Sequence, residues 1–136
     1  MNKIISISIV AVIFLTLSFW SALSVAHATE DKFGGIGVKV SQIYDPDAKN
    51  NMGILVVLDV LDETPASKSG IQKGDLITHI DGEPTKGKTF KYLMLEKLRG
   101  EIGSKTDISI ERARVKTPLN FSLTRIEIIS PPEQKE

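Results

Sequence analysis

The sequence has no cysteine among its 136 residues, a single tryptophan, and aromatic side chains at only 6% of the chain. Without cysteine, a disulfide framework, a thiolate nucleophile and lipid attachment at an N-terminal cysteine are all excluded. A surplus of charge is absent as well, because 17 basic residues balance 17 acidic ones. No basic surface of the kind that nucleic acid requires is predicted, and we expect no nucleic-acid partner.

One long uncharged segment, residues 4–26, stands near the start and ends in the small residues of Ala26-His27-Ala28. This pattern is typical of a secretory signal peptide, so we expect residues 1–28 to be cleaved and 29–32 to form a short linker. The alternative is an uncleaved anchor, because the apolar run 4–20 approaches the length of a membrane-spanning helix. The expected location is the bacterial periplasm or the medium, with inner-membrane attachment only through a retained segment.

Hydrophobic patterning after residue 32 predicts a small domain that is mostly β. Alternating or continuous apolar runs bounded by turn residues indicate strands. They fall at Val38–Tyr44, Ile54–Leu61, Leu76–Ile80, around Ile108 and Ile110, and at Leu119–Leu123. The polar segment 130–136 carries two prolines and is expected to be a disordered tail.

Two helices are predicted among these strands. In the first, Thr64 suits the N-cap, Pro65 the first helical position and Gly70 the stop, which gives one or two turns. In the second, Phe90 and the apolar residues after it recur at helical spacing, so Thr89–Arg99 is expected to be one α-helix. The predicted fold class is therefore α+β, mainly β: a partly open barrel or sandwich of five to six strands with one short and one long helix.

A phosphate-loop pattern, G-x-x-x-x-G-K-[ST], is matched by residues 82–89 between a predicted strand and a predicted helix. Pro84 removes one of the N–H groups that such a loop uses to bind phosphate. A single long helix also cannot cover both faces of the parallel sheet that carries these sites. Nucleotide binding is therefore kept only as a third hypothesis.

A glycine-rich segment, Phe33-Gly34-Gly35-Ile36-Gly37-Val38, opens the domain. It is not a dinucleotide-binding fingerprint, because it leads into a strand rather than into a helix. Successive N–H groups in such a loop can hold a carboxylate, and the strand that follows can pair with an extended peptide.

The order and spacing of several motifs resemble the PDZ domain family. Gly35-Ile36-Gly37-Val38 looks like its carboxylate-binding loop, and residues 64–77 look like its S-P-A-x-x-A-G-[IL]-x-x-G-D-x-I stretch. Asp81-Gly82 is similar to the family's turn, and Leu98-Arg99-Gly100 to the end of its groove helix. The resemblance covers residues 33–129 and is closest to the PDZ domain of bacterial carboxyl-terminal processing proteases.

The resemblance implies a PDZ fold whose loop amides, those of Ile36, Gly37 and Val38, bind a terminal carboxylate. It implies a peptide groove with two walls, formed by Gly35, Ile36, Gly37, Val38, Lys39 and Val40 on the strand side and by Phe90, Leu93, Met94 and Lys97 on the helix side. The alternative, that the apolar members are simply core, stays open, because a PDZ fold needs them apolar in either case. The segment 85–100 also runs about one residue longer than the subgroup leads us to expect, which shifts the helical phase.

The sequence thus predicts an exported module that binds C-terminal tails of envelope proteins, as an adaptor or regulator, with a separate protease as one candidate partner. We expect no catalysis, since Ser-x-x-Lys, Gly-x-Ser-x-Gly and His-Glu-x-x-His patterns are missing after residue 28. No cofactor and no metal site are predicted. The alternative is a fragment or remnant of a carboxyl-terminal processing protease without its catalytic domain.

Overall fold

The computed structural model describes residues 32–129, which form two antiparallel sheets and two helical segments. The expected signal peptide and the expected tail lie outside the described residues. The first strand begins at Lys32, one residue before the expected start of the domain. Among the described helices, none is long and apolar enough to cross a membrane.

The larger sheet has six strands: β2 (Val38–Tyr44), β3 (Met52–Val60), β4 (Leu76–Ile80), β5 (Glu83–Pro84), β6 (Lys105–Glu111) and β7 (Leu119–Thr124). The strand order is β2-β3-β4-β6-β7, and the two-residue β5 pairs with β4. A single 3₁₀ turn, Lys49–Asn51, connects β2 to β3. In the part of the chain that the structure describes, β2 pairs only with β3, so its other edge is free.

The smaller sheet pairs β1 (Lys32–Gly35) with β8 (Ile126–Ile129), so Phe33 lies opposite Ile128. Neither strand was predicted, because a pair of glycines in β1 and the short run of β8 give little alternation. The mainly β, PDZ-like class is as predicted, with β1, β5 and β8 as additional short strands.

The first helix, α1 (Pro65–Ser69), has the predicted caps. The side chain of Thr64 accepts a hydrogen bond from the N–H of Ser67, and Gly70 ends the helix in the left-handed region. An ion pair to a buried carboxylate fixes the loop that follows: the half-buried Arg112 donates to both oxygens of Asp75 (2.8 and 2.9 Å) and to the carbonyl of Gly70 (2.8 Å). The short helix is therefore held firmly against the larger sheet.

The second helix was predicted to be a single α-helix, and this prediction is wrong. The structure has two segments of different pitch. The helix begins as α2 (Phe90–Tyr92), with Thr89 as its N-cap, and continues as a π-helix over Leu93–Leu98. We call residues 90–98 the composite helix. Hydrogen bonds in a π-helix span five residues rather than four, which accommodates the extra residue that the sequence carries in this segment.

The core lies between the larger sheet and the helices and is aliphatic. Its buried members are Ile36, Leu55, Val57, Ala66, Ile71, Ile77, Ile80, Leu93, Leu98, Ile108, Ile110 and Leu123. Burial of a valine, leucine or isoleucine side chain contributes about 1.5–3 kcal/mol. The loop residue Ile36 thus belongs to the same core as Leu93 and Leu98 of the π-helix.

Candidate functional site

A cavity of about 140 Å³ lies where the loop between β1 and β2 meets the π-helix. Four parts of the fold contribute its mostly apolar lining. The segment from β1 into β2 supplies residues 35–38, and Leu61 follows β3. The composite helix and its end supply Met94, Leu98 and Arg99, and the terminal strands supply Phe33 and Ile128. The cavity is therefore placed at the start of the free edge of β2.

The loop backbone turns two N–H groups outward. The carbonyl of Ile36 accepts from the N–H of Ala66 (3.0 Å), and the carbonyl of Gly37 accepts from the N–H of Leu61 (2.8 Å). In a trans peptide unit the N–H points opposite to the C=O, and the described peptide bonds are all trans. The N–H groups of Gly37 and Val38 therefore point away from these partners, and that of Val38 points to the free edge. Outward N–H groups of this kind can bind an anion.

Only glycine fits at position 37. Its φ is +87°, in the left-handed region, and a Cβ there would overlap the side chain of Thr64. Thr64 is itself fixed, because its hydroxyl donates to the carbonyl of Leu61 (2.6 Å) and it caps α1. The start of α1 thus sets the position of the loop.

The π-helix decides which side chains face the cavity. The N–H of Arg99 donates to the carbonyl of Met94 (3.0 Å), five residues earlier. In an α-helix, residues five apart differ in direction by about 140°. Here the π-helical turn ends at Arg99, whose backbone is extended, and both residues line the cavity.

Arg125 closes the C-terminal end of the composite helix. Its guanidinium donates to the carbonyls of Lys97 (2.6 Å), Leu98 (3.1 Å) and Lys105 (3.0 Å), and to the hydroxyl of Ser104 (2.9 Å). Carbonyls at the end of a helix lack partners within the helix and carry partial negative charge, so a cation stabilises them. Arg125 is 7% exposed, and it holds the cavity wall from behind.

Arg99 brings a positive charge to the cavity. Its guanidinium carbon lies 3.8 Å from the centre of the Phe33 ring, in cation–π geometry. The site thus combines outward N–H groups, an apolar lining and one guanidinium. These groups suit a carboxylate that carries an apolar side chain next to it.

Five of the residues predicted for the site lie together at the cavity: Gly35, Ile36, Gly37, Val38 and Met94. Further along β2, Val40 is partly buried and packs against the core. Lys39 points to the other face of the strand, where its Nζ lies 3.4 Å from Asp59.

Three predicted helix positions lie away from the cavity. Leu93 is 1% exposed and belongs to the core, and Phe90, 40% exposed, stands at the other end of the composite helix. Lys97 is bound to Glu83, with 2.5 Å between Nζ and Oε2. The sequence-based choice followed α-helical spacing, which the π-helix does not obey. It omitted Leu98 and Arg99 for that reason, and it omitted Phe33 and Ile128 because β1 and β8 were not predicted.

A charged cluster connects β5 to both ends of the composite helix. The carboxylate of Glu83 binds Lys88 (2.7 Å) and Lys97, and it accepts a hydrogen bond from the hydroxyl of Tyr92 (3.1 Å). Hydrogen bonds from Lys88 and then Lys97 lower the pKa of Glu83 from its ordinary value of 4.5 to about 2. The Glu83 carboxylate thus links β5 to the composite helix through two ion pairs and a hydrogen bond.

Two other kinds of site find no support in the described residues. In the phosphate-loop pattern, Lys88 is bound to Glu83, Thr89 caps α2, and the buried Thr85 hydroxyl donates to the carbonyl of Ile77 (2.7 Å). These groups hold a turn rather than a phosphate. Within residues 32–129 no group of three or more His, Asp or Glu side chains is arranged to bind a metal.

A free edge strand that faces a helix, with outward N–H groups at one end, defines a small domain built around a groove. Residues 34–123 match the PDZ domain family. The chain belongs to that family, as the glycine loop and the residues around Asp75 had indicated.

The chain is similar in sequence to proteases that process carboxyl termini. It is 32% identical over 104 residues to a carboxy-terminal-processing protease of Bartonella bacilliformis, covering 76% of this chain and 22% of that protein. It is 30% identical over 108 residues to the carboxy-terminal processing protease CtpB of Bacillus subtilis, covering 79% of this chain and 21% of that protein. The chain therefore spans about a fifth of the length of these relatives.

Solved structures share the fold. The PDZ domain of a carboxy-terminal protease from Vibrio cholerae, in complex with a peptide, superposes with a TM-score of 0.57 at 18% identity, covering 72% of this chain and 98% of that one. The HtrA3 PDZ domain, bound to a phage-derived ligand, gives a TM-score of 0.55 at 20% identity, covering 74% and 91%. At these identities the likeness establishes the fold alone.

Proposed function

We propose that the domain binds the C-terminal tails of exported or envelope proteins in the groove between β2 and the composite helix, as an adaptor or regulator that catalyses no reaction. The observation that carries the proposal is the free edge of β2, which begins at an apolar cavity beside the outward N–H groups of Gly37 and Val38. A peptide can extend the larger sheet along that edge by strand addition. The peptide-bound PDZ domains with the same fold support this mode of binding.

The chemistry of the cavity defines the ligand. The terminal carboxylate is held by the outward N–H groups, with the charge of Arg99 close by. The terminal side chain enters the cavity beside Met94 and Leu98, which offer no polar partner, so apolar C-terminal residues are favoured. Burial of such a side chain contributes roughly 1.5–3 kcal/mol.

The carboxylate provides the decisive test. A peptide with a free, apolar C-terminus is compared by calorimetry with the same peptide amidated. Hydrogen bonds to a charged group contribute on the order of 1.5–3 kcal/mol each, so amidation is expected to weaken binding tenfold or more. Equal affinities for the two peptides would show that the loop is only a turn.

A substitution at the loop gives a second test on the same assay. Val38→Asp places a negative charge beside the bound carboxylate, and we expect binding to be lost. Val115→Asp introduces the same charge at an exposed valine of the β6–β7 connection and serves as the matched control. The control is expected to bind like the parent, and undiminished binding by Val38→Asp would contradict the proposal.

A second candidate function is that of the substrate-binding part of a carboxyl-terminal processing protease. The two relatives of that kind favour it. Reading the coding DNA on both sides of the domain distinguishes the two functions. A protease frame continuous with this one supports the second candidate, whereas a domain encoded by itself supports the adaptor.

A further inference from the structure

The last strand of the larger sheet leaves a second edge open. Within residues 32–129, β7 pairs only with β6, so on its other side the N–H and C=O groups of every second residue have no strand partner. The short helix α1 approaches β7 from the core side, because Ala66 and Leu123 belong to the same core. The larger sheet thus has two open edges, β2 at one end and β7 at the other.

The two edges differ in how they are protected against pairing with another chain. Natural edge strands are protected by a charged side chain, a proline or a bulge. β2 carries Lys39 and two shifts of register. β7, with the sequence LNFSLT, has no charge and no proline, and its register with β6 runs without a shift. An uncharged and regular edge of this kind is a template for a further strand.

The side chains of β7 are compatible with a copy of the same strand. On one face Asn120, Ser122 and Thr124 are exposed, short and uncharged. On the other face Phe121 is half-buried and Leu123 is buried. Like charges placed directly opposite each other destabilise a pair of strands, and β7 brings none.

The two flanks of β7 carry opposite charge. Before the strand, Arg114 and Lys116 are exposed in the β6–β7 connection. Just after the strand, Glu127 lies in β8, with a side chain that is 42% exposed and bound to Lys32 (3.0 Å). When two copies of β7 run antiparallel, the basic flank of one copy lies beside the acidic flank of the other.

Symmetry limits the register of such a pair. Opposite side chains share a face of the sheet, so a two-fold axis passes through one residue of the strand, and the central ones are Phe121 and Ser122. In either register, Lys116 of one copy comes level with residues 126–128 of the other, where Glu127 is located. The opposite charges therefore meet twice, once at each end of the paired strands.

We propose that two copies of the chain associate by antiparallel pairing of their β7 strands, which joins the two larger sheets across a two-fold axis. The same edge is used by both copies, so association stops at two. Both β2 edges stay open at the far ends of the joined sheet. If each groove holds a C-terminal tail, the dimer holds two tails at once and binds paired tails more tightly than single ones.

The first experiment measures the mass of the protein, as isolated from cells, by analytical ultracentrifugation from micromolar to millimolar concentration. We expect the mass to rise from one chain to two and then to stay at two. The mass of one chain at every concentration would overturn the inference. A mass that keeps rising beyond two chains would overturn it as well, because a closed pair leaves no β7 edge open.

A charge on the open edge is the second test. Ser122→Lys places two lysines opposite or diagonally across the axis, and we expect the dissociation constant of the dimer to rise about tenfold or more. His79→Lys adds the same charge at an exposed position of β4, which is paired on both sides, and should associate like the parent. Undiminished association of a Ser122→Lys protein that circular dichroism shows to be folded would contradict the proposal.

A mixture of two variants tests the symmetry of the pair. Ser122→Glu alone should also associate weakly, whereas an equimolar mixture of Ser122→Glu and Ser122→Lys should associate more tightly than either, because opposite charges then meet at the axis. A mixture that associates no better than its components would overturn the β7–β7 pairing. A single peptide should bind Ser122→Lys as it binds the parent, so the proposed function is tested separately.

Discussion

Two charged side chains hold the composite helix, yet the surroundings of the two charges differ. The Glu83 carboxylate is 25% exposed and binds Lys88, just before the helix, and Lys97 in its last turn, whose side chains are 40% and 23% exposed. At the C-terminal end of the helix, Arg125 is 7% exposed, and the four groups to which its guanidinium donates are uncharged.

This difference shows how burial decides the importance of a charge. When an exposed ion pair is broken, water replaces the lost partner of the carboxylate. Such pairs therefore contribute little to the free energy of unfolding. Buried carbonyls that lose their donor stay unpaired, and each then costs about 1–3 kcal/mol. The cavity lies beside Arg125, the buried charge, so we expect the groove to be most rigid at the end where the ligand's carboxylate is proposed to bind.

The largest loss of stability is expected when the buried charge, Arg125, is removed. Arg125→Met removes the guanidinium that donates to the carbonyls of Lys97, Leu98 and Lys105, and we expect the free energy of unfolding to fall by about 3 kcal/mol. Urea denaturation measures this loss. Arg125→Lys keeps the positive charge but lacks the planar guanidinium, so its stability should lie between those of the parent and Arg125→Met. A loss below about 1 kcal/mol in Arg125→Met would show that the guanidinium does not hold the wall.

A smaller loss of stability is expected when a methyl group is added beside the Arg125 guanidinium. A Cβ at Gly100 would lie 2.9 Å from Nε of Arg125, so Gly100→Ala displaces a guanidinium that four hydrogen bonds hold in place. Overpacking of this kind costs about 1–3 kcal/mol. The nearby Gly103→Ala is not a matched control for Gly100→Ala, because the positive φ of Gly103 would add backbone strain. Thermal unfolding of Gly100→Ala in an Arg125→Ala background isolates the clash, which should disappear there because Nε, Cζ and Cδ of Arg125 are all absent.

The smallest loss of stability is expected when the exposed carboxylate, Glu83, loses its charge, and this loss depends on pH. The pKa of Glu83 is near 2 in the folded chain and near 4.5 without its lysine partners. The unfolded chain therefore binds a proton at Glu83 in a window where the folded chain does not, and this contribution to stability is lost as the pH falls from about 4.5 towards 2.

Glu83→Gln tests this expectation. The parent and the variant are unfolded with urea at several pH values, and their difference in stability should be largest above pH 5 and vanish towards pH 2. A difference that stays constant with pH would mean that the carboxylate charge is not what braces the helix.

Local chemistry made much of the fold predictable. The strand Val38–Tyr44 and the strand Leu76–Ile80 have the predicted bounds, and Thr64 and Gly70 cap α1 as expected. These elements are specified by alternation, turn residues and caps within a few positions of one another. The sheet of β1 and β8 depends instead on pairing between the two ends of the domain, which no local pattern encodes.

The two sides of the cavity differ in how far the sequence places them. The predicted loop residues line it because glycine spacing and strand direction bring them there. Of the predicted helix positions only Met94 lines it, because the pitch changes within residues 93–98 and Leu93 lies in the core. Nothing in the sequence marks Arg125 either, because its acceptors are backbone groups that come together only in the fold.

The pairing of β1 with β8 also has a mechanical consequence. Lys32 lies opposite Ile129, so the two ends of the described chain leave the sheet side by side, and tension between them acts across the strands. Hydrogen bonds of an antiparallel pair run perpendicular to the strands, so such a load breaks them one after another, as in a zipper. Phe33 and Ile128 form the second pair in that series and line the cavity, so a pull on the two strands opens the cavity before it reaches the larger sheet.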